Sequence, residues 1–181
     1  WIRRESVSLP LYWRNDRADG WLEFTLTGER PLDPRLPVCH LGFYEAEAFA
    51  RWAGARLPSE FEWEAAASES NARFGCTKAR WLETADLHPS AADAAQDGTP
   101  RQLVGDAWEW TRSDYAPYPG YCPPDGALSE YNGKFMSGQY VLRGGCCVTP
   151  RGHASLTYRN FYFPTDRWQF AGLRLARDAT R

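Results

Sequence analysis

Histidine and cysteine are the residue types best suited to bind metals or attack substrates, and this chain has few of either. The three histidines, His40, His88 and His153, form none of the short spacings that hold a metal locally. The five cysteines are an odd number and include no C-x-x-C pair, so neither a zinc ribbon nor a complete disulfide framework is indicated. We expect surface or hydrogen-bonded loop histidines, and reduced thiols.

The adjacent pair Cys146-Cys147 follows Val141-Leu-Arg-Gly-Gly, which predicts a strand that ends in a tight turn. Neighbouring strand residues point to opposite faces, so we expect two separately packed thiols. The chain has no phosphate loop, no G-x-G-x-x-G and no G-x-S-x-G sequence. Local motifs alone therefore assign no reaction to the chain.

Two helices are predicted by the spacing of apolar residues and by capping signals. The first spans about residues 43–52, and Gly54 lies just past its end, where glycine often terminates a helix. Its apolar face is formed by Phe43, Ala46, Phe49, Ala50 and Ala53. The second begins after Ser59, whose spacing from Glu62 fits a capping box, and extends to about Ser68.

The remaining sequence predicts short strands and long ordered loops. Residues 171–177 alternate apolar and polar residues as a strand does, whereas residues 86–101 and 113–133 are rich in turn residues or proline. Nine Trp, nine Tyr and nine Phe bury large areas and stabilise a chain with so little regular structure. This ring content also excludes a disordered protein.

The 181 residues are enough for one domain with its own core. The formal net charge of -2 leaves no basic excess for binding nucleic acid. No apolar run is long enough to cross a membrane, and the start of the chain has no secretory signal, so we expect a cytoplasmic protein. The first residue is Trp1 rather than Met, which suggests a processed product or a piece of a longer protein.

Three segments together resemble the formylglycine-generating-enzyme (sulfatase-modifying factor) domain. They are residues 37–64, Gly105-Asp-Ala-Trp-Glu-Trp-Thr, and Val141-Leu-Arg-Gly-Gly with residues 172–178. The resemblance implies an α+β fold, a variant of the C-type-lectin-like fold with two helices, short strands and long ordered loops. It also implies core packing for Trp108 and Trp110. In formylglycine enzymes, oxygens around such a turn can hold calcium, which makes Glu109 a candidate calcium ligand.

The oxidase branch of that family needs two copper-binding cysteines shortly after the Gly-Gly turn. The matching positions in this chain are Thr149 and Ala154, and neither supplies the thiolate that selects Cu(I). Cys146 and Cys147 lie too close to the turn to replace them. A copper-dependent formylglycine-type oxidase is therefore the weakest of the alternatives.

A different branch is indicated by residues 156–177, by Tyr118-Pro-Gly-Tyr and by Glu130-Tyr-Asn-Gly-Lys-Phe-Met. These segments resemble the C-terminal domain of ergothioneine-pathway sulfoxide synthases, which are non-haem Fe(II) enzymes. With oxygen, such enzymes join cysteine or γ-glutamylcysteine to C2 of the imidazole of hercynine (trimethylhistidine). A close relative, selenoneine synthase, uses a selenium donor.

In that family the iron is held by three histidines of an N-terminal DinB-like helical domain, which this chain lacks. Residues 1–181 are thus expected to be the C-terminal domain, truncated at its N-terminus, inactive alone and without a metal of its own. The remaining alternative is a lectin-like module that binds a ligand without catalysis, which predicts that the chain folds and binds its ligand without iron.

The resemblance also assigns roles to residues. Asn160, Phe161 and Tyr162 match the substrate loop, and we assign them the quaternary ammonium of hercynine, which seeks aromatic faces because it has no N–H to donate. Arg159 and Arg167 are candidates for a substrate carboxylate, with a structural ion pair as the alternative for each. Tyr118 or Tyr121 matches a tyrosine that some members place beside the iron as a proton donor.

Overall fold

The structure is a computed structural model that describes residues 3–70, 79–92, 100–126, 133, 135–153 and 155–179. These residues form seven strands, two α-helices and one 3₁₀ turn. In chain order the elements are β1 (Trp13–Asp16), β2 (Gly20–Thr25), β3 (Gly28–Pro31), α1 (Phe43–Trp52), α2 (Glu60–Glu69), the 3₁₀ turn Leu82–Thr84, β4 (Trp108–Asp114), β5 (Tyr140–Arg143), β6 (Asn160–Tyr162) and β7 (Ala171–Leu173). The expected α+β fold with two helices and short strands is confirmed.

The strands form two separate sheets. β1, β2 and β3 make an antiparallel sheet from the residues before α1, and the second sheet has the order β6-β5-β4-β7. In the second sheet only β4 and β7 run parallel. Among the described residues β6 pairs with β5 alone, so its other side is an edge of this sheet.

Helix α1 has the predicted bounds, with Phe43, Ala46 and Ala50 buried. Gly54 has the left-handed φ of +63° expected at a helix end. The prediction that Phe49 joins the buried face is wrong, because its side chain is 47% exposed and packs on the ring of Trp52, with 5.6 Å between ring centroids. The apolar stripe that faces the core is thus narrower than the sequence indicated.

Helix α2 begins as predicted and ends one residue later than expected. Ser59 Oγ accepts the backbone N–H of Glu62 at 3.2 Å, and the Glu62 carboxylate accepts the backbone N–H of Ser59 at 2.7 Å. This reciprocal pair satisfies two backbone donors that a helix start leaves unpaired. Glu60, Trp63 and Ala67 are the buried residues of α2 and form the face of the helix that packs inward.

The core consists of two clusters of buried side chains. The larger joins α1 to the second sheet and contains Phe43, Ala46, Ala50, Leu57, Trp108, Trp110, Leu142, Cys146, Cys147, Phe170 and Ala171. The smaller surrounds Trp63 and Trp81. Core packing for Trp108 and Trp110 is confirmed, and Trp110 Nε1 also donates to the Leu41 carbonyl at 2.8 Å.

The Gly-Gly turn after β5 is confirmed, with φ of +102° at Gly144 and +83° at Gly145. A Cβ on Gly144 would lie 2.6 Å from the Leu103 carbonyl oxygen, so only glycine fits this approach. Cys146 and Cys147 follow the turn instead of continuing the strand. They therefore do not alternate along a strand, but the expectation of two packed thiols is confirmed, because both are buried in the larger cluster.

The other predictions are met in part. β7 is shorter than the predicted strand, which continues only as an isolated bridge between Arg56 and Ala176. Residues 86–92 and 115–126 contain no helix or strand, but the predicted irregular segment 113–133 is wrong at residues 113 and 114, which belong to β4. His88 is buried, so residues 86–92 are not wholly on the surface. Residues 93–99 and 127–132 lie outside the described residues. Cys39, Cys122, Cys146 and Cys147 are free thiols, and Cys76 lies outside the described residues. Neither ten-residue helix is long and apolar enough to cross a membrane, and the described ranges contain no other α-helix that could.

Candidate functional site

The three residues assigned to the ammonium form the whole of edge strand β6 and point to two sides. Successive strand residues alternate, so Phe161 faces away from Asn160 and Tyr162. Phe161 stacks on Tyr115, with 4.1 Å between ring centroids and an interplanar angle of 11°. Tyr162 instead packs against the larger core cluster and meets Trp168 edge-on at 5.3 Å. The structure therefore brings together only part of the predicted trio.

Asn160 and Tyr162 are tied to their own strand. Asn160 Oδ1 accepts the backbone N–H of Phe161 at 3.0 Å. Burial raises the pKa of the Tyr162 hydroxyl, and a hydrogen bond from the Asn160 side chain acts in the opposite direction. These contacts fix the backbone that presents the Phe161 ring.

Four rings form a surface that we call the aromatic wall: Tyr115, Tyr118, Phe135 and Phe161. Phe135 lies 6.0 Å from Phe161, measured between ring centroids. The guanidinium carbon of Arg159 lies 4.8 Å from the ring centroid of Tyr115 and 4.2 Å from that of Tyr118. Both distances fit cation–π contacts, so the wall already holds one cation of the chain itself.

The guanidinium group of Arg159 is paired with Glu60, a buried residue of the first turn of α2. Arg159 Nε donates to Glu60 Oε2 at 2.8 Å, and Nη2 donates to Oε1 at 2.9 Å. The Tyr118 hydroxyl donates to the same carboxylate at 3.0 Å. Burial and this hydrogen bond raise the pKa of Tyr118. Arg159 therefore forms an ion pair within the chain.

Glu60 belongs to a four-charge cluster that also contains Glu64, Arg143 and Arg159. Arg143 is fully buried; it donates to the Tyr158 carbonyl at 3.0 Å and forms an ion pair with Glu64. Its Nε lies 4.0 Å from Glu60 Oε2 and has no hydrogen-bond partner among the described residues. Two cations and two anions balance, as burial of charges requires.

Tyr121 lies at the end of the turn that carries Tyr118. Its backbone N–H donates to the Tyr118 carbonyl at 3.0 Å, and Gly120 has a φ of +81°, as in a type II turn with Pro119 before it. The Tyr121 hydroxyl is buried and has no hydrogen-bond partner in the part of the chain that the structure describes. A buried hydroxyl normally has one, so the partner of this group is still to be identified.

Arg167 lies elsewhere, beside the start of α1. Its Nη1 is 3.5 Å from Glu45 Oε1, a long contact between partly exposed groups. Gly42, which precedes α1, allows the Arg167 stem to approach, because a Cβ there would lie 3.2 Å from the Arg167 Cγ. Arg167 is therefore not part of the aromatic wall or of the four-charge cluster.

The expectation of calcium at Glu109 does not fit the structure. Glu109 Oε2 accepts Trp63 Nε1 at 2.7 Å and Arg174 Nε at 2.9 Å, while Oε1 accepts Arg174 Nη2 at 2.6 Å. Arg174 Nη2 also donates to the Arg101 carbonyl at 2.7 Å. A guanidinium thus supplies the positive charge at this carboxylate and takes both of its oxygens.

The copper and histidine predictions are consistent with the described residues. Thr149 is buried and its Oγ1 accepts the backbone N–H of Cys146 at 3.1 Å, whereas Ala154 lies outside the described residues. Burial raises the pKa of Cys146 and of Cys147, so neither is a ready thiolate.

Each histidine has a hydrogen-bond partner, as expected. His40 contacts the Trp168 carbonyl at 3.2 Å, His153 contacts the Tyr158 hydroxyl at 3.1 Å, and His88 Nδ1 accepts from Arg30 at 2.6 Å. Within the described ranges no three His, Cys, Asp or Glu side chains are grouped as metal ligands. An iron site is therefore not offered by this part of the chain.

A cavity of about 240 Å³ lies beside the first sheet, and none of the candidate residues lines it. The aromatic wall is instead a partly exposed surface, with Tyr118 41% exposed. Sequence reasoning missed Glu60, which reads as an ordinary acidic residue in a first helical turn, and Tyr115, which stands in a proline-rich segment without a motif.

The chain matches the sulfatase-modifying factor enzyme 1-like domain over residues 12–179. It is 34% identical over 192 residues to a hercynine oxygenase of Mycobacterium tuberculosis, with 97% of this chain and 44% of that protein covered. It is 36% identical over 203 residues to a hercynine oxygenase of Mycolicibacterium smegmatis, with 98% of this chain and 45% of that protein covered. The chain therefore spans less than half the length of these relatives.

A solved structure of PvdO from Pseudomonas aeruginosa has a similar fold. The TM-score is 0.56 at 18% sequence identity, with 96% of this chain and 73% of that chain covered. At this identity the similarity concerns the fold alone.

Proposed function

This chain belongs to the sulfatase-modifying factor enzyme 1-like domain family, and from that premise we propose that it is the substrate-binding half of an oxygenase acting on hercynine in ergothioneine biosynthesis. The proposal is supported by the two relatives named hercynine oxygenase, which align with nearly the whole chain. The observation that carries it is the aromatic wall around Phe161, at the strand that resembles the substrate loop of that group.

The aromatic wall suits a quaternary ammonium because it offers ring faces and because the charge of its arginine is neutralised. A trimethylated amine has no N–H, so it binds to ring faces and oxygen dipoles rather than to a single carboxylate. Phe161 is half-buried and held flat by Tyr115, so its position is fixed before a ligand arrives. The positive charge of Arg159 is neutralised by Glu60, so the wall does not repel a second cation.

The other roles follow from the contacts that each group makes. Both guanidinium nitrogens of Arg159 that face Glu60 are engaged, so we propose Arg167, which lies 3.5 Å from Glu45, as the candidate that also meets a substrate carboxylate. We assign the proton donor to Tyr121, whose buried hydroxyl has no partner among the described residues, rather than to Tyr118, which already donates to Glu60. Asn160 and Tyr162 hold strand β6 in place.

The proposed reaction joins C2 of the hercynine imidazole to the sulfur of cysteine or γ-glutamylcysteine. The imidazole C–H and the thiol S–H are lost, one atom of O₂ becomes the sulfoxide oxygen and the other leaves as water, so atoms and electrons balance. Non-haem iron would activate the oxygen, and a DinB-like helical domain outside this chain would hold it.

The proposal is tested by the affinity of the full-length protein for hercynine and for histidine. Phe161→Ala is expected to weaken hercynine binding by about 1–2 kcal/mol and histidine binding by less, because only hercynine carries a permanent cation without N–H groups. Phe49→Ala, which removes an exposed ring on α1, serves as the control and should leave both affinities unchanged. Unchanged hercynine affinity in Phe161→Ala would overturn the assignment.

A further inference from the structure

We infer that Glu60 is a positioning residue of the ammonium site: it holds Arg159 inside the aromatic wall and cancels its charge, so that a second cation can bind there. This inference deepens the proposed function and rests on it. Glu60 lies in α2 and Arg159 just before β6, 99 positions apart in sequence. The contact therefore joins the start of a helix to the strand that carries Phe161.

The geometry makes Arg159 rigid. Its Nε and Nη2 are fixed by the two oxygens of Glu60, and its Nη1 donates to the Ala116 carbonyl at 3.0 Å. All three nitrogens are thus engaged, and the planar group lies against the rings of Tyr115 and Tyr118. Tyr115 in turn stacks on Phe161, so the orientation set by Glu60 extends to the proposed ligand face.

Charge gives Glu60 a second effect. Glu60 and Arg143 are buried, and the Arg159 side chain is 14% exposed, so their interactions are poorly screened by water. With a neutral residue at position 60, Arg159 would lose the carboxylate it pairs with, because Glu64 pairs with Arg143 instead. The uncompensated positive charge would lie directly behind the rings and would repel a bound ammonium.

Glu64 provides a matched control on the same helix. It pairs with Arg143 and is 35% exposed, whereas Arg159 and the Tyr118 hydroxyl both pair with Glu60. Loss of its charge should destabilise the cluster without releasing Arg159. The two carboxylates therefore separate positioning of the wall from general stability.

The experiment compares Glu60→Gln and Glu64→Gln in the full-length protein by hercynine affinity, melting temperature and spectroscopic titration of tyrosine. Both variants should melt at lower temperature. Glu60→Gln should weaken hercynine binding by on the order of tenfold, as loss of a cation–π geometry and added repulsion imply, whereas Glu64→Gln should change it less than about twofold. Only Glu60→Gln should lower the pKa of Tyr118, because the Tyr118 hydroxyl donates its hydrogen bond to Glu60 and not to Glu64.

Each outcome distinguishes the two claims. Normal hercynine affinity in Glu60→Gln, or an equal loss in Glu64→Gln, overturns the positioning role while Phe161→Ala still tests the function. If neither Phe161→Ala nor Glu60→Gln alters affinity, both claims fail. Should Glu60→Gln not fold, Glu60→Asp replaces it, because it keeps the charge but draws the carboxylate away from Arg159; loss of hercynine affinity there supports the positioning role, and retained affinity refutes it.

Discussion

Two tyrosines of one four-residue turn have different surroundings, and this difference separates their roles. Tyr118 donates to Glu60, stacks near Arg159 and is 41% exposed. Tyr121 has a buried hydroxyl without a partner in the described ranges. The turn itself depends on Gly120, whose positive φ lets the chain reverse between them. We therefore expect the Tyr118 hydroxyl to contribute to stability and the Tyr121 hydroxyl to contribute to the reaction.

Removal of each hydroxyl tests this separation. Tyr118→Phe should lower the free energy of unfolding by about 1 kcal/mol, because it loses a hydrogen bond to a charged but partly exposed pair. Tyr121→Phe should leave stability unchanged and reduce turnover of the full-length enzyme by about a hundredfold, the usual scale for a lost proton donor. Urea unfolding and product formation give the two readouts. Full turnover in Tyr121→Phe with slow turnover in Tyr118→Phe would transfer the role to Tyr118.

At the residue scale, the sequence could name Phe161 and the two tyrosines because they stand in segments that resemble a known group. It could not name Glu60, because its importance comes from contacts with Arg159 and Tyr118 that only the folded chain creates. The calcium expectation at Glu109 failed for the same reason. The sequence does not show that Arg174, 65 positions later, reaches both carboxylate oxygens.

At the scale of elements, the start of α2 is a junction between the helix and the carboxyl-terminal part of the described chain. Arg56 donates to both oxygens of Glu62 and also to Asp178. The hydrogen bond to Arg56, and then that to the Ser59 backbone, lower the pKa of Glu62 to about 2. Glu62 thus caps the helix and pairs with Arg56 at once.

This shift predicts acid sensitivity with a defined sign. A carboxyl whose pKa is lowered on folding stabilises the protein above its unfolded pKa and loses that effect as pH falls toward its folded pKa. The urea concentration at the midpoint of unfolding should therefore decrease as the pH is lowered from about 4.5 to about 2. Glu62→Gln should make this part of the profile shallower, although Glu62 is 44% exposed and solvent reduces the size of the effect.

A matched control is Glu47→Gln, which removes an exposed carboxylate that pairs with Arg51 on α1. It should keep the wild-type slope between the same pH limits. A Glu62→Gln profile that runs parallel to that of the wild type would show that the capping contact does not contribute.

The helices were predictable because their signals are local, whereas most strands were not. The Ser59–Glu62 spacing and the glycine after α1 are visible within a few residues. Strands β1 and β3 carry no apolar alternation; they are joined to their sheet by backbone pairing and by ion pairs such as Arg14–Glu29 and Glu23–Arg30. Partners of this kind are chosen by tertiary structure, which a sequence pattern does not contain.

At the scale of the whole molecule, the proposed site is an open surface that a second unit would complete. The chain spans less than half of the hercynine oxygenases that it resembles, and the described residues offer no iron ligand set. The family and fold class could be predicted from three ordered segments, because their motifs are specific. An iron-binding unit stays a prediction, because no group of possible metal ligands lies among the described residues.

The most direct measurement is product analysis of the full-length protein with Fe(II), oxygen, hercynine and either cysteine or γ-glutamylcysteine. We predict a hercynine–sulfur conjugate that carries one oxygen from labelled oxygen gas, while residues 1–181 alone form no product. A selenium donor accepted in place of the thiols would assign the protein to selenoneine synthesis. If the full-length protein binds hercynine but forms no conjugate with any donor, the chain is a ligand-binding module and the oxygenase assignment is contradicted.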